Sequence, residues 1–233
     1  MVRAFPWWNE KQKRLAEEAK AFAEENIPKG EEIAWTKKYP TEMLKEVASK
    51  GWFGAFIPEE YGGMEAGVTG VSIIAEELSR VCSALACAYA VTMFGGVEQL
   101  VMHGNNEQKE KWLPKMARGE LLGAVCITEP FVGSDAAGIE TTARKEGDEY
   151  VLNGKKRFIS NAGAADIYCV YAKTSDQPED RARYRHLSAF IVTKGTPGFS
   201  VERINELPGW LGLPNGCLLY TSDAADEGLG VDL

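Results

Sequence analysis

The stretch LGAVCITEPFVGSD, from Leu122 to Asp135, decides how the chain is organised. Its first half is an apolar run that ends at a Glu-Pro pair, which is typical of a buried strand. Its second half is a turn containing Gly133, Ser134 and Asp135, where free backbone N–H groups and a hydroxyl can meet an anionic or carbonyl-rich ligand. Apolar residues recur with a helical period before this stretch and alternate as in strands after it.

The residues before Glu120 predict an all-helical domain, 1–119. Asn9 is a capping residue, and apolar positions recur on one face from there to Pro28, which is expected to end the first helix. Further helices are predicted at Thr41–Lys50, about Thr69–Val81, Ser83–Met102 and Glu107–Met116.

Residues 120–218 predict a β domain. Tight turns are expected at Gly147-Asp148 and at Asn153-Gly154, the second being a strong hairpin signal. The fold class is therefore α+β, with an N-terminal helical domain followed by an antiparallel, barrel-like β domain. The strands are predicted at Leu121–Thr128, Thr141–Lys145, Glu149–Leu152, Lys156–Ser160, Ile167–Ala172, Leu187–Val192 and Phe199–Arg203.

Composition excludes several classes of function. The 233 residues carry 26 Lys and Arg against 34 Asp and Glu, a net charge of −8, which argues against a nucleic-acid partner. The densest basic stretch, Arg181 to Arg185, is interpreted as a solvated loop. Five cysteines without a C-x-x-C pair fit a reducing compartment, and with two histidines they predict no metal site.

The sequence predicts neither export nor a membrane span. Pro6, Trp7, Trp8 and charged residues stand where a signal peptide needs an apolar run. The longest uncharged stretch, Val81 to Val97, falls short of the ~20 apolar residues that cross a bilayer. A buried helix is the expected structure for it.

The common nucleotide, protease and hydrolase motifs are absent, and a second distinctive segment is NGKKRFISN, Asn153 to Asn161. An aromatic residue, Phe158, is followed there by a hydroxyl, Ser160. This pair suits a planar heteroaromatic cofactor, because the ring packs and the hydroxyl can bond a ring nitrogen. From the residues alone, an ordinary turn and an ordinary half-buried strand remain open as the alternative.

Several pieces together resemble the acyl-CoA dehydrogenase family, in the family's order. The pair ITEPFVGSD and NGKKRFISNAG is specific, and the resemblance covers the chain from Asn9 to about Leu218. It implies a flavoprotein oxidoreductase of fatty acid metabolism that uses FAD. The pieces are PEEYGG at Pro58–Gly63, HGNNEQKEKWLPKMARGE at His103–Glu120, ITEPFVGSD at Ile127–Asp135, NGKKRFISNAG at Asn153–Gly163, and the stretch Pro197–Cys217.

The resemblance assigns site residues one by one. The strand Val125, Cys126, Ile127 and Thr128 matches the segment that lies along the flavin. Gly133 and Ser134 match the GSD turn, where the serine contacts FAD phosphate or the acyl-CoA. Phe158, Ile159 and Ser160 match a W-I-T triplet beside the flavin, so that Phe replaces Trp and Ser replaces Thr without loss of the apolar wall or the hydroxyl.

Other residues have simpler expected roles. Glu129 is expected to anchor its turn rather than to act as a general base. Cys126 is expected to pack as a small apolar residue. Tyr89, Met93 and Phe94 are expected in the core, although the family takes part of its acyl pocket from this helix.

The family's catalytic base is a glutamate on a C-terminal helical bundle, and this sequence offers no counterpart, so no catalytic residue is assigned. Residues 219–233 lack family resemblance, and their small, acidic composition predicts a disordered tail foreign to the gene. The expected function is therefore a fragment of an acyl-CoA dehydrogenase that is inactive alone. The alternatives are a short acyl-CoA- or flavin-binding or interaction module, and a fragment of an acyl-CoA oxidase.

The resemblance also implies partners and a compartment. The parent is expected to act on acyl-CoA, to pass electrons to an electron-transfer flavoprotein or similar acceptor, and to form a homodimer or homotetramer. The expected compartment is the bacterial cytoplasm or the mitochondrial matrix.

Overall fold

The computed structural model describes residues 5–226 and 228–232, with side chains as far as Thr221. Helices come first, as the sequence predicts. A π-helical turn lies at Met93–Val97, and short 3-10 turns lie at Trp52–Gly54, Glu59–Tyr61 and Ala136–Gly138. The helices are α1 (Glu10–Thr36), α2 (Thr41–Ser49), α3 (Gly67–Val81), α4 (Ser83–Thr92), α5 (Glu98–His103), α6 (Asn106–Ala117) and, inside the β domain, α7 (Pro178–Ala182).

The first helix does not end at Pro28, contrary to the sequence prediction. A capping box formed by Asn9 and Gln12 starts α1, which continues through Pro28 to Thr36. A proline in a helix leaves the carbonyl four residues earlier without its usual N–H partner. Pro28 and Glu24 are both exposed, so water can bond that carbonyl.

The helix Ser83–His103 has the length and hydropathy of a membrane span, and 56% of its most apolar window is buried inside the structure. A single helix of this kind is weak evidence for a membrane protein, because core helices have the same composition. Here it packs at the centre of the helical core, where Tyr89 and Met93 have no exposed surface.

A curled mixed sheet follows the helices. Its strands run in the order β6-β7-β3-β2-β4-β5-β8, and β1 pairs with β4 in parallel. Most neighbours are antiparallel, as predicted, but the β1–β4 pair and one β2–β4 contact are parallel. The strands are β1 (Gly123–Cys126), β2 (Thr142–Glu146), β3 (Glu149–Ser160), β4 (Ile167–Lys173), β5 (Leu187–Thr193), β6 (Phe199–Asn205), β7 (Asn215–Asp226) and β8 (Gly228–Asp232).

The turn predicted at Asn153-Gly154 is wrong, because β3 runs unbroken through both residues. The glycine serves close packing: a Cβ at Gly154 would lie 2.7 Å from Thr141 Cα. The turn predicted at Gly147-Asp148 is present between β2 and β3, and Gly147 there has a left-handed φ of 66°.

The segment predicted to be disordered from Leu219 is paired instead. The backbone of β7 pairs with β3 from Asn215 to Asp226, and β8 pairs with β5. Tyr220 is only 1% exposed and stacks on Phe199, so the β domain extends past the predicted boundary at Leu218. The physical reason is that the N–H and C=O groups of a strand edge accept a partner strand largely irrespective of its side-chain composition.

One face of the sheet closes the helical core. Ile167 and Cys169 of β4, and Ala189 and Ile191 of β5, belong to the same apolar cluster as the residues of α1 to α6. The opposite face of the same strands forms a second cluster with β1, β3 and β7. The helical core therefore lies directly against β4 and β5, and α4 also contacts β1 and β3, the strands of the two distinctive motifs.

Candidate functional site

The two distinctive segments lie side by side. The Arg157 N–H donates to the Thr128 carbonyl at 2.8 Å, so the end of β1 continues along β3. Lys156, the preceding residue, donates from Nζ to the Ile127 carbonyl at 3.1 Å. The ITEP and KRFIS segments thus form one surface, as their shared assignment to a single site requires.

A bulge in β3 shapes this surface. The pairing of β3 with β7 shifts between Lys156 and Ile159, and Phe158 has a left-handed φ of 60°. The bulge turns the Phe158 ring outward, where it is 48% exposed and lies 4.4 Å from the Arg157 guanidinium carbon. Ile159 is buried, so only its backbone could contact a ligand.

Ser160 lies at the inner edge of the surface and is half-buried. Asn215 donates from Nδ2 to the Phe158 carbonyl at 2.8 Å and to the Ser160 hydroxyl at 3.3 Å. The Ser160 hydroxyl also lies near the Cys87 thiol of α4: burial raises the pKa of that thiol to about 11, and Ser160 partly offsets the rise. Ser160 therefore joins the β surface to the helical domain.

The strand assigned to the flavin presents some of its side chains and hides others. Val125, Ile127 and Thr128 are half-buried, whereas Cys126 is fully buried, as predicted for a packing residue. Burial raises the pKa of Cys126 to about 12, which keeps it a thiol. A ligand on this side would therefore meet the backbone at Cys126 and not its side chain.

Glu129 anchors its turn, as the sequence predicts. Its carboxylate accepts from the Glu140 N–H at 2.7 Å, the Thr141 N–H at 2.9 Å and Lys156 Nζ at 2.8 Å. Burial by itself would raise the pKa of Glu129, but these bonds outweigh it and hold the pKa below the ordinary carboxyl value. The side chain is 3% exposed, which leaves it no access to a substrate proton.

Lys156 is a functional candidate that the sequence analysis missed. Its side chain has no exposed surface, although it lies in a run of charged residues, Lys155 to Arg157, that suggests a solvated strand. The alternation of β3 was the available signal, because buried Leu152 and exposed Lys155 put Lys156 on the inner face.

The GSD turn is open to solvent. Gly133, Ser134 and Asp135 are all exposed, and nothing lies within 4 Å of a Cβ built on Gly133. The turn begins at the backbone bridge between Glu129 and Val132. An exposed turn can contact a part of a ligand that stays near solvent, but it cannot enclose a part that is buried.

A cavity of about 280 Å³ follows the GSD turn. His186 is 2% exposed, bonds the Ala137 carbonyl through Nε2 at 2.8 Å, and has no partner for Nδ1 within the described part of the chain. The sequence does not predict this cavity, because Arg181 lies in a stretch whose charges indicate a solvated loop. Its lining is mixed in charge and consists of Ala137, Gly138, Ile139, Glu140, Lys173, Ser175, Asp176, Arg181 and His186.

The α4 helix and the π-helical turn after it contribute a half-buried apolar stripe, whose first member, Cys87, lies near Ser160. Cys87, Val91 and Phe94 are half-buried, whereas Tyr89 and Met93 belong to the core as predicted. Phe94, also expected in the core, only packs against its edge. Within residues 5–226 and 228–232, no three His, Cys, Asp or Glu side chains come together as metal ligands would.

Asn161 fixes the helical domain against the β surface. It is fully buried with a left-handed φ of 63°, and its Nδ2 donates to the carbonyls of Ala88 and Gly123, each at 3.1 Å. Thr92 Oγ1 also accepts from the Gly123 N–H at 3.2 Å. The Asn161 side chain, which directly follows the KRFIS segment, thus bonds α4 and β1 at once.

Comparison with known proteins matches both halves of the chain. The model of the acyl-CoA dehydrogenase N-terminal domain matches residues 9–120, and that of the middle domain matches residues 124–222. An acyl-CoA dehydrogenase of Bacillus subtilis is 38% identical over 207 residues, which are 88% of this chain and 54% of that protein. The chain spans about half the length of the curated relatives it matches.

Solved structures agree. The acyl-CoA dehydrogenase from Geobacillus kaustophilus is 31% identical with a TM-score of 0.88, over 98% of this chain and 60% of that one. An acyl-CoA dehydrogenase from Bacillus anthracis, solved in complex with FAD, is 34% identical with a TM-score of 0.82, over 97% of this chain and 38% of that one.

Proposed function

The chain belongs to the acyl-CoA dehydrogenase family, and from that premise we propose that it forms the flavin wall of an FAD-dependent dehydrogenase of acyl-CoA thioesters. The observation that carries the proposal is the 2.8 Å bond from the Arg157 N–H to the Thr128 carbonyl, which unites the two motif segments in one surface. FAD, when bound, supplies an acceptor for the hydride that leaves the β carbon of the acyl chain.

The residues of the wall fit a flavin. The half-exposed Phe158 ring offers an apolar face, and the Ser160 hydroxyl offers a hydrogen bond to a ring nitrogen. Thr128, whose carbonyl accepts the Arg157 N–H, adds a second hydroxyl from the neighbouring segment. The bulge holds Phe158 outward, so the ring needs no rearrangement to meet a ligand.

The acyl chain would lie along α4. Cys87, Val91 and Phe94 form the half-buried stripe, and Cys87, its first member, lies near Ser160 of the flavin wall. Such a stripe excludes water from the carbon atoms that react. The role of these residues is to orient the chain, and none of them takes part in proton transfer.

The phosphates of FAD or of the acyl-CoA would lie near the GSD turn. Ser134 is exposed there, and the adjoining cavity contributes Lys173, Arg181 and the buried His186. Cationic side chains and a serine hydroxyl suit phosphate oxygens. Lys173 pairs with Asp176, so Arg181 is the side chain expected to add most to phosphate binding.

We assign the α proton to a carboxylate outside the described residues. Glu129 stands in the motif but is enclosed by Lys156, Thr141 and Glu140. A base must reach the proton that it removes, and this carboxylate does not. A glutamate of a C-terminal helical bundle, an electron-transfer flavoprotein as acceptor, and a dimeric or tetrameric assembly complete the proposed enzyme.

Titration of the purified chain with FAD tests the proposal. Binding is expected to quench flavin fluorescence and to be weakened in Phe158→Ala. The Lys155→Met variant, which alters an exposed lysine on the same strand, is the control and should bind as the parent does. Absence of any saturable FAD binding by the folded chain would contradict the proposal.

A second candidate function is a flavin- or acyl-CoA-binding module without its own base, and the enclosed carboxylate of Glu129 favours it. The genomic reading frame around the chain separates the two: a frame that continues into a helical bundle with a glutamate favours the dehydrogenase, and a separate neighbouring frame that encodes such a bundle favours the module. Turnover of acyl-CoA thioesters by this chain alone would contradict both, because both place the base elsewhere.

A further inference from the structure

Two opposite charges are buried directly behind the proposed flavin wall. Lys156 Nζ lies 2.8 Å from Glu129 Oε1, with side-chain exposures of 0% and 3%. Removing two charges from water is costly, and apolar residues of similar volume often stabilise a core as well or better. The pair therefore calls for an explanation other than stability alone.

The pair connects three separate segments. Glu129 receives the N–H groups of Glu140 and Thr141, which lead into β2. Lys156 belongs to β3 and also donates to the Ile127 carbonyl at 3.1 Å. One ion pair thus fixes the end of β1, the start of β2 and the middle of β3.

The location of Lys156 in β3 matters as much as its bonds. It is the last residue in register with β7 before the bulge that turns Phe158 outward. Its neighbour Arg157 bonds the Thr128 carbonyl. Phe158 and the Ile127–Thr128 backbone are the two sides of the wall. A shift of Lys156 would therefore move one side relative to the other.

We infer that Lys156, acting with Glu129, is a positioning residue that holds the Ile127–Thr128 backbone and the Phe158 bulge in the arrangement that a flavin ring requires, an inference that rests on the proposed function. The ammonium group acts through the Ile127 carbonyl and the Glu129 carboxylate and does not touch the ligand.

The test removes the charges while keeping the fold. The double variant Lys156→Met with Glu129→Gln leaves no unpaired buried charge, and Lys155→Met removes the exposed neighbour that pairs with Glu202 at 3.1 Å. Three quantities are measured in each: the urea midpoint, the FAD dissociation constant and the hydrogen-exchange rate of the Arg157 amide.

The double variant is expected to unfold near the parent midpoint, to bind FAD about tenfold more weakly or worse, and to exchange the Arg157 amide faster. The Lys155→Met control should match the parent in all three. A double variant that matches the parent in FAD affinity and in Arg157 exchange would overturn the inference. If the double variant does not fold, Glu129→Gln alone is measured against the same two outcomes.

The two proposals fail separately. If the parent chain binds no FAD, the proposed function fails, while the Arg157 exchange rate still shows whether the ion pair holds the segments together. If the parent binds FAD and the double variant binds it equally well with unchanged exchange, only the positioning role fails.

Discussion

The Tyr39 hydroxyl donates to Asn161 Oδ1 at 3.1 Å, across 122 residues of sequence. Tyr39 lies between α1 and α2, and Asn161 directly follows β3, so the bond joins the helical domain to the end of the proposed flavin wall. Burial raises the pKa of Tyr39 well above its ordinary value, which keeps the hydroxyl protonated as a donor.

Asn161→Ala is expected to destabilise the chain by about 2–5 kcal/mol. The substitution leaves buried hydrogen-bonding groups unpaired, which costs roughly 1–3 kcal/mol. It also puts Ala at a left-handed φ, which costs about 1–2 kcal/mol. Urea unfolding measures the loss. Asn161→Gly, which tolerates the φ of 63°, should be less harmful, and equal losses would contradict the contribution of backbone strain.

Lys156→Met is expected to cost about 3–5 kcal/mol of unfolding free energy, because it leaves the buried Glu129 carboxylate without its cation. The matched change Lys155→Met breaks a pair that is 53% and 47% exposed, so we expect less than about 1 kcal/mol. Urea unfolding of both variants gives the comparison. Similar losses at the two lysines would show that burial of Lys156 has no energetic consequence.

The lowered pKa of Glu129 predicts that the folded chain loses stability in acid. Its pKa is lowered in the folded chain from 4.5, so the unfolded state binds more protons as the pH falls. The stabilisation is therefore complete above about pH 4.5 and is lost as the pH falls through the folded pKa. Glu129→Gln lacks this group, so the difference in unfolding free energy between parent and variant should shrink on acidification. A difference that is constant with pH would contradict the lowered pKa.

Phe158→Ala is expected to weaken FAD binding about twofold to tenfold, the contribution of one aromatic contact. Its effect on stability should be small, since the ring is 48% exposed. Flavin fluorescence and urea unfolding separate the two effects. Phe158→Trp keeps the wall and should bind FAD at least as well as the parent, whereas equal affinity in all three proteins would exclude Phe158 from the site.

Gly154→Ala and Gly147→Ala test two glycines that the sequence places in equivalent turns. A Cβ at Gly154 would lie 2.4 Å from Thr141 Oγ1 and 2.7 Å from its Cα, whereas nothing lies within 4 Å at Gly147. We expect about 1–2 kcal/mol at Gly147 from backbone strain and a larger loss at Gly154. Thermal or urea unfolding decides, and a smaller loss at Gly154 would restore the turn interpretation.

The sequence predicted the helices and most strands because their apolar period is local information. The prediction failed where contacts with residues far away in the sequence determine the local structure. Pro28 is tolerated on an exposed helix face, and Asn153-Gly154 stays in a strand because Thr141 packs against it. Tyr220 is buried by a ring contact with Phe199, although its segment is polar and small.

The candidate site divides in the same way. Phe158, Ser160 and Thr128 could be identified from their motifs, and Glu129 could be recognised as an anchor. Lys156 and His186 were not identified, because both lie among charged residues, which usually mark a solvated segment. The alternation of β3 puts Lys156 on the inner face only once the strand is known to run unbroken, and the partners that bury the two side chains, Glu129 and the Ala137 carbonyl, come from distant segments.

The π-helical turn at Met93–Val97 limits how this chain can change in evolution. Each residue of an α-helix turns the side chains by about 100°, so one residue deleted there would change the orientation of α4, which carries Cys87, relative to α5. Substitution is restricted as well, since a Cβ on Gly95 would lie 3.0 Å from the Val125 Cβ and one on Gly96 3.2 Å from the Gly123 Cα. Related chains should therefore keep the length of this helix constant.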